Sequence, residues 1–453
     1  MRISPSKFGI SVVAALVVLQ CIRPGIPSRP STAEIQVPAN IHQILARDCF
    51  SCHSDQRKLA WFDEIQPGYW LVRKDILTAR EHLDFSTLGS KPAAAQKAAL
   101  YEAVNMIQLG AMPLPRFVAL NPEAKVSSED LAALKAYLSP WTPLPAPSTA
   151  TGGSRPPALS AETPSIRLEN VNSEWNGVAF DPSFKSWKAL SFTDRGDNNT
   201  FRFILGNDIA IQAAESGHIS PWPDGTRFAK IAWQQQLGND EFVEPGKFVQ
   251  VELMIKDSKR YASSDGWGWG RWRGVDLKPY GSDARFVNEC TGCHQPLKGN
   301  DYVYTPPITS ARSTLQEAVN NRAALAANLP YQPLDWTPVT MFVDQRTHTM
   351  STLYGNEAAL NSLQASNASS AAPGYNEGAV LALVTWVQRD DPHWFGGRIP
   401  DSPASVEFLT VGPQNALSYR RFDGPNLEEA HPSSMMTAQR TSFLVKLKPA
   451  SLP

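Results

Sequence analysis

Three textures of apolar and polar positions divide the chain. In the first, apolar residues recur with helical spacing. Ile41, Ile44 and Leu45 share one face of a segment with Asn40 as its candidate cap, and a second helical pattern surrounds Tyr101 to Leu109. A third runs from Ser127 to Leu138 and opens on the capping-box-like pair Ser127 and Asp130. From about Ile166 a period of two takes over. Thr200–Leu205, Thr226–Trp233 and Phe248–Ile255 read as strands, with Asp224-Gly225 as a hairpin-type turn before the second. Gly266-Trp267-Gly268-Trp269-Gly270 puts two indoles on one strand face, by default a packed sheet face and otherwise a wall for a bound group.

The third texture, about Asn328 to Leu447, repeats the second. Trp187, Ser191, Thr200, Gly206 and Asn207 correspond without a gap to Trp336, Thr340, Thr349, Gly355 and Asn356. The stretch Gly225 to Trp233 corresponds to Gly378 to Trp386. A β domain repeated in this way must be recognised before a fold is assigned. Thr142 to Pro164, rich in Pro, Ala, Ser, Thr and Gly and nearly uncharged, reads as a semi-rigid linker.

Two short stretches change the picture from fold to chemistry. Cys49-Phe50-Ser51-Cys52-His53 and Cys290-Thr291-Gly292-Cys293-His294 share the spacing of a c-type haem attachment site. Two thiols three apart can add to both vinyl groups of one porphyrin, and the following imidazole then lies under the iron. The pentads use four of the five cysteines. No second ligand pair follows either one, which argues against zinc, and so long and Cys-poor a chain argues against a disulfide framework. Cys49, Cys52, Cys290 and Cys293 are therefore the expected attachment residues for two covalent haem c groups, with His53 and His294 as proximal ligands. The third region has no cysteine and is expected to bind no haem.

Composition narrows the compartment and partners. With 453 residues, 42% hydrophobic, the chain has material for about three folded domains. A net charge of −1 excludes a nucleic-acid surface or a polybasic membrane patch. Arg2 and Lys7 precede an apolar run, Phe8 to Leu19, which is too short for a membrane span and suits a signal peptide. Cys21 follows it in a context that resembles a bacterial lipoprotein cleavage site, except that Gln20 replaces the small residue expected there. Lipidation of Cys21 and its loss with the signal are both open. Since paired cysteines receive haem outside the cytoplasmic membrane, the expected location is the periplasm or cell envelope, with membrane attachment only through Cys21.

The sixth ligand of the first haem should come from downstream. In Gly110-Ala111-Met112-Pro113, the proline drives Met112 out of helical geometry, where a thioether can reach iron. The competing Met106 has a helical context that makes it core, and Met112 itself has a gap-filling core reading. The region resembles the small haem-binding domains of bacterial multidomain cytochromes at Val37–Asn40, the first pentad, Ile65–Pro67, Glu81–Ser86 and Gly110–Pro113. His82 in that stretch could also bind iron, while the match argues for a packing role.

The repeat singles out Lys230. Phe228, Lys230 and Ala232 share one strand face, and the sister positions are Leu381, Leu383 and Thr385. A lysine where its sister carries leucine faces inward, and must snorkel, find a partner or lose its charge; desolvated, it becomes nucleophilic. Residues about 170–306 resemble cytochrome P-460, in which a lysine is joined covalently to the porphyrin. The match runs through Gly206-Asn207, Trp222–Thr226 with Lys230, Met254–Asp257, Gly266–Gly268, Cys290–His294 and Asp301–Val303. The resemblance implies a mainly antiparallel β fold, an open distal site on the His294 haem, Lys230 as the cross-linking residue and oxidation of hydroxylamine. It also implies a distal carboxylate as proton acceptor, for which Asp283 and Glu289 are the candidates.

The expected fold class is multidomain α and β: an N-terminal all-α c-type cytochrome domain, then two mainly antiparallel β domains of cytochrome P-460 type. The expected boundaries are a signal peptide over 1–21, haem-binding domain 35–140, linker 141–165, P-460-like domain 166–310 and haem-free repeat 328–448. The expected activity is that of an exported dihaem oxidoreductase, taking a small nitrogenous ligand and passing electrons through the His53/Met112 haem to an external redox protein, with pairing as a homodimer left open. The alternatives are a nitric oxide-binding protein of the related c′-beta kind, without turnover, and a plain electron carrier.

Overall fold

The computed structural model describes residues 14, 17–28, 33–56, 59–139, 167–238, 242–310, 318–367, 374–450 and 452. The expected linker lies outside these residues, as does most of the apolar run Phe8 to Leu19. The chain forms two compact units, Met1–Pro140 and Trp141–Pro453. Among the described residues no helix is long and apolar enough to cross a membrane.

The first unit is helical. It comprises α1 (Ala39–Asp48), α2 (Phe50–His53), α3 (Gly68–His82), α4 (Phe85–Leu88), α5 (Ala93–Gln108), α6 (Pro115–Val118) and α7 (Ser128–Leu138). Ile41, Ile44 and Leu45 are buried along α1. Its N-cap is Pro38 rather than Asn40, because the extended backbone of Pro38 already sets the helix entry and leaves Asn40 inside the first turn. Ser127 caps α7 as expected, its hydroxyl accepting from the Asp130 N–H at 3.0 Å.

The second unit is built on one antiparallel sheet system. Its first half contains β1 (Lys188–Arg195), β2 (Thr200–Gly206), α8 (Asp208–Ser216), β3 (Arg227–Leu237), β4 (Val243–Lys256), β5 (Trp267–Arg273), β6 (Lys278–Pro279) and α9 (Val287–His294). Its second half runs through the same order: β7 (Thr337–Asp344), β8 (Thr349–Gly355), α10 (Glu357–Asn367), β9 (Val380–Asp391), β10 (Trp394–Val411), β11 (Leu417–Asp423), β12 (Glu428–Ala430) and α11 (Ser434–Lys446). Asp224-Gly225 is not a hairpin turn, since α8 lies between the antiparallel neighbours β2 and β3; it ends the loop that leads into β3.

The halves agree in detail. Each first strand carries a register shift at the same place, between Ala189 and Ser191 and between Pro338 and Thr340. Asn207 Oδ1 accepts from the N–H groups of Ala210 and Arg227 at 3.1 Å each, while its amide donates to Gly225 O at 2.9 Å. Asn356 makes the same three bonds, to Ala359, Val380 and Gly378.

The two β regions expected as separate domains share one core. Strands pair in the order β1-β2-β3-β4-β7-β8-β9-β10, and β10 pairs back to β1, closing an eight-stranded ring. The two joins, β4 to β7 at Val243 and Val343 and β10 to β1 at Arg398 and Asp194, exchange when the halves are exchanged. Phe192, Phe203, Trp233, Met341, Tyr354, Trp386 and Phe408 fill the common core. Alternation then sends the other face of each half outward. In the first half that face packs against α8 and α9, with Phe228, Trp267, Trp269, Ala213, Phe286 and Cys290. In the second it packs against α10 and α11, with Leu381, Leu383, Leu409, Ala359 and Leu444.

Candidate functional site

Both pentads lie on helices, as their chemistry requires. Cys49 joins α1 to α2, and the Cys52 and His53 N–H groups donate to its carbonyl at 3.2 and 3.0 Å. Cys290, Cys293 and His294 occupy the last turns of α9. Burial pushes the thiols of Cys49 and Cys290 up to about 12 and that of Cys52 to about 11, so they remain protonated.

The two histidines are held by one device. His53 Nδ1 donates to Leu83 O at 2.9 Å, and His294 Nδ1 to Tyr302 O at 2.7 Å. A carbonyl can only accept, so the proton sits on Nδ1 and Nε2 keeps its lone pair. Burial lowers both rings below the ordinary histidine range, His294 to about 4, and keeps them neutral. These are imidazoles prepared to ligate metal.

The Tyr302 carbonyl is aimed by a strained turn. Asp301 and Tyr302 have φ of 45° and 69°, in the left-handed region that disfavours side chains. The buried Asp301 carboxylate holds the turn: it accepts from Trp222 N at 2.8 Å, Lys256 Nζ at 2.8 Å and Trp267 Nε1 at 3.2 Å.

Beside α9 the outer face of the first half is polar, against the packing rule for a sheet face. Register places Ile204, Lys230, Glu252 and Arg271 opposite one another across β2, β3, β4 and β5. Lys230 Nζ pairs with Glu252 Oε2, and Arg271 Nε lies 2.9 Å from Oε1. Burial, with Arg202 and Arg271 nearby, pulls Lys230 down to about 8 against the pull of Glu252. Burial alone would raise Glu252, but Lys230 and Arg271 outweigh it and hold the carboxyl at about 2. Arg202 is drawn down to about 10 by burial.

This pocket fits a porphyrin. Arg202 Nε and Trp269 Nε1 are buried without a hydrogen-bond partner among the described residues. The Trp269 ring stands 4.6 Å from that of His294. Three cations surround one carboxylate, leaving positive charge for an anionic ligand such as a porphyrin propionate. Cys290 and Cys293 would hold the porphyrin and His294 the iron.

The second half shows what the same face becomes without that role. Leu383 stands opposite Glu407 as Lys230 stands opposite Glu252, and Glu407 stands opposite Arg421 as Glu252 opposite Arg271. There Arg440 from α11 neutralises the buried carboxylate, Nη2 to Oε1 at 2.7 Å and Nε to Oε2 at 2.8 Å. Tyr419 OH donates to Oε2 at 2.6 Å. A helix with Leu444 and Phe443 at its inner side lies where the first half has α9.

The remaining expected residues fall in different places. Asp283 is at the surface, paired with Arg285 at 2.7 Å. Glu289 is exposed on α9, accepting from Tyr280 OH at 3.0 Å. Neither is the carboxylate beside Lys230; that is Glu252. The repeat could have found it, because Val251-Glu252-Leu253 is sister to Val406-Glu407-Phe408. Met112 follows α5 in a loop, half-buried, with its N–H donating to Met106 O at 3.1 Å. Met106 is only half-buried, not core, and His82 is exposed at the end of α3. Cys21 is exposed.

Residues 182–305 match the family model Cytochrome P460, and residues 13–140 match the family model Haem-binding domain. No curated protein matches the chain.

Proposed function

We propose that this chain, which carries a cytochrome P460 domain behind an N-terminal haem-binding domain, is an exported dihaem c-type cytochrome that oxidises hydroxylamine or a similar small nitrogen compound. The observation that carries the reading is the half-buried Lys230–Glu252 pair on the sheet face next to α9, where the sister half has Leu383. When bound at Cys290, Cys293 and His294, haem supplies the redox chemistry and an exchangeable ligand position. The chain's own residues do the rest. His294 presents a neutral Nε2, Lys230 is, once deprotonated, the candidate nucleophile for a cross-link, and Glu252 accepts the protons that oxidation of an N–H substrate releases. While Lys230 is an ammonium, Glu252 is held too acidic to act as a base; without that neighbouring charge it would move toward the ordinary carboxylate range.

Cys49 and Cys52 would hold the second haem, with His53 and Met112 as axial ligands. A site closed on both faces suits electron transfer and not substrate binding, so electrons would pass from it to an external redox protein. The second half is, on this reading, a haem-free copy of the first. A nitric oxide-binding protein of the c′-beta kind is expected to carry an uncross-linked haem, and Lys230 beside Glu252 and Arg271 favours turnover instead.

The test is the reduced-minus-oxidised absorption spectrum of protein matured with c-type haem, beside Lys230→Ala and Glu252→Gln. A red-shifted ferrous Soret band absent from Lys230→Ala, with hydroxylamine turnover falling at least ~100-fold in Glu252→Gln, is expected. Two ordinary c-type spectra in every protein would remove the cross-link and turn the assay to nitric oxide binding.

A further inference from the structure

The cysteine-free second half reaches the His294 site through one residue of the first. Tyr304 lies two residues beyond the carbonyl that fixes His294. Its ring meets the His294 ring edge-on, with centroids 4.9 Å apart at 85°. Its hydroxyl donates to Cys293 O at 2.5 Å and lies 3.7 Å from Cys293 Sγ. The His294 ring is thus bounded by Trp269 on one side and Tyr304 on another.

Tyr304 is in turn gripped by the connection between β9 and β10. His393 Nδ1 donates to Tyr304 O, and the Trp394 ring packs on the Tyr304 ring at 5.4 Å and 70°. Both residues are tied down. The His393 N–H donates to Asp391 Oδ1 at 2.9 Å. Trp394 lies under the Arg195 guanidinium, 4.2 Å from the ring centroid, and donates through Nε1 to Asp197 Oδ2 at 3.4 Å. Arg195 and Asp197 are themselves a buried ion pair, at the strand that closes the ring of the barrel. The path from the barrel closure to the imidazole is therefore continuous: Arg195, Trp394, Tyr304, His294.

We propose that His393 and Trp394 of the second half are positioning residues for the proximal side of the His294 haem, acting through Tyr304. The Tyr302 carbonyl fixes the tautomer of His294 but leaves the ring free to swing about that bond. Tyr304 removes this freedom, and it can do so only while its own ring and carbonyl are held. The second half is then a component of the haem site and not merely a packing partner. The inference rests on His294 as iron ligand and is independent of what the iron acts upon.

The test uses the full chain matured with haem. The ferrous iron–histidine stretching line is read by resonance Raman, and haem content by the pyridine haemochrome, in wild type, His393→Ala, Trp394→Leu and Trp394→Phe. The line is expected to shift or split in His393→Ala and Trp394→Leu at unchanged haem content, and to return in Trp394→Phe, which keeps the ring. Wild-type lines in every variant at full haem content overturn the inference alone. If Trp394→Leu does not fold, His393→Ala decides by the same criterion. A His294→Gly chain that keeps the wild-type iron–histidine line would instead overturn the reading of His294 as the iron ligand, and this inference with it.

Discussion

Asp194 shows how much a single buried group can report. Its carboxylate lies inside the barrel closure, accepting from Gln388 Nε2 at 2.7 Å and Gln235 Nε2 at 2.6 Å, one from each half. Burial pushes it from the ordinary 3.8 up to about 6, the amides opposing. A raised folded value means that the fold favours the protonated form. Its contribution is complete below pH 3.8 and is lost as pH rises through 6, a difference of about 3 kcal/mol at ~1.4 kcal/mol per unit. Asp194→Asn removes the titration. Urea midpoints at pH 4 and pH 7 should therefore show wild type losing up to about 3 kcal/mol relative to the Asn variant. A constant difference between the two proteins would refute this.

The closing helices of the two halves show how an element takes its character from the face it covers. Helix α9 brings cysteines to a face with Lys230, whereas α11 brings Arg440 to a face with Leu383, and each face retains one glutamate, half-buried in the first half and buried in the second. Glu407 is almost fully buried and Arg440 is its bidentate partner. Arg440→Ala leaves Tyr419 and Arg421 to compensate a buried charge, and the expected loss is about 3 kcal/mol in chemical denaturation. Adding Glu407→Gln should recover most of it, since removing both partners costs less than stranding one. If the double variant is no more stable than the single one, the ion pair is not what α11 contributes.

The whole of the second unit depends on the shared core. Phe192 and Phe203 of the first half pack with Tyr354 and Trp386 of the second, and each half's β1-like strand pairs with the other's β4-like strand. A chain ending near residue 320 would expose this apolar face and two strand edges. Size-exclusion chromatography of that truncated chain should show self-association or aggregation. A stable monomer would mean that the halves fold independently.

What the sequence determined by itself was whatever depends on residues close in the chain. The pentads were legible as motifs because their spacing is local, and so was the repeat, whose Asn207 and Asn356 cap their helices with the same three bonds. The alternation around Lys230 grouped it with Phe228 and Ala232, but the expected inward face is the one turned away from the barrel core, whose members on that strand are Ala229, Ile231 and Trp233. Tertiary structure decided the rest. Asp283 and Glu289 looked suitable because they precede the pentad, but proximity along the chain does not govern which carboxylate meets Lys230. Glu252 does so through strand register, 22 residues downstream across a β pairing. The two β regions read as separate domains because each has a full strand pattern, yet a pattern of apolar faces does not say which face meets which. Only the closure of β10 on β1 decided that the halves share a core, and with it that His393 and Trp394 stand behind Tyr304.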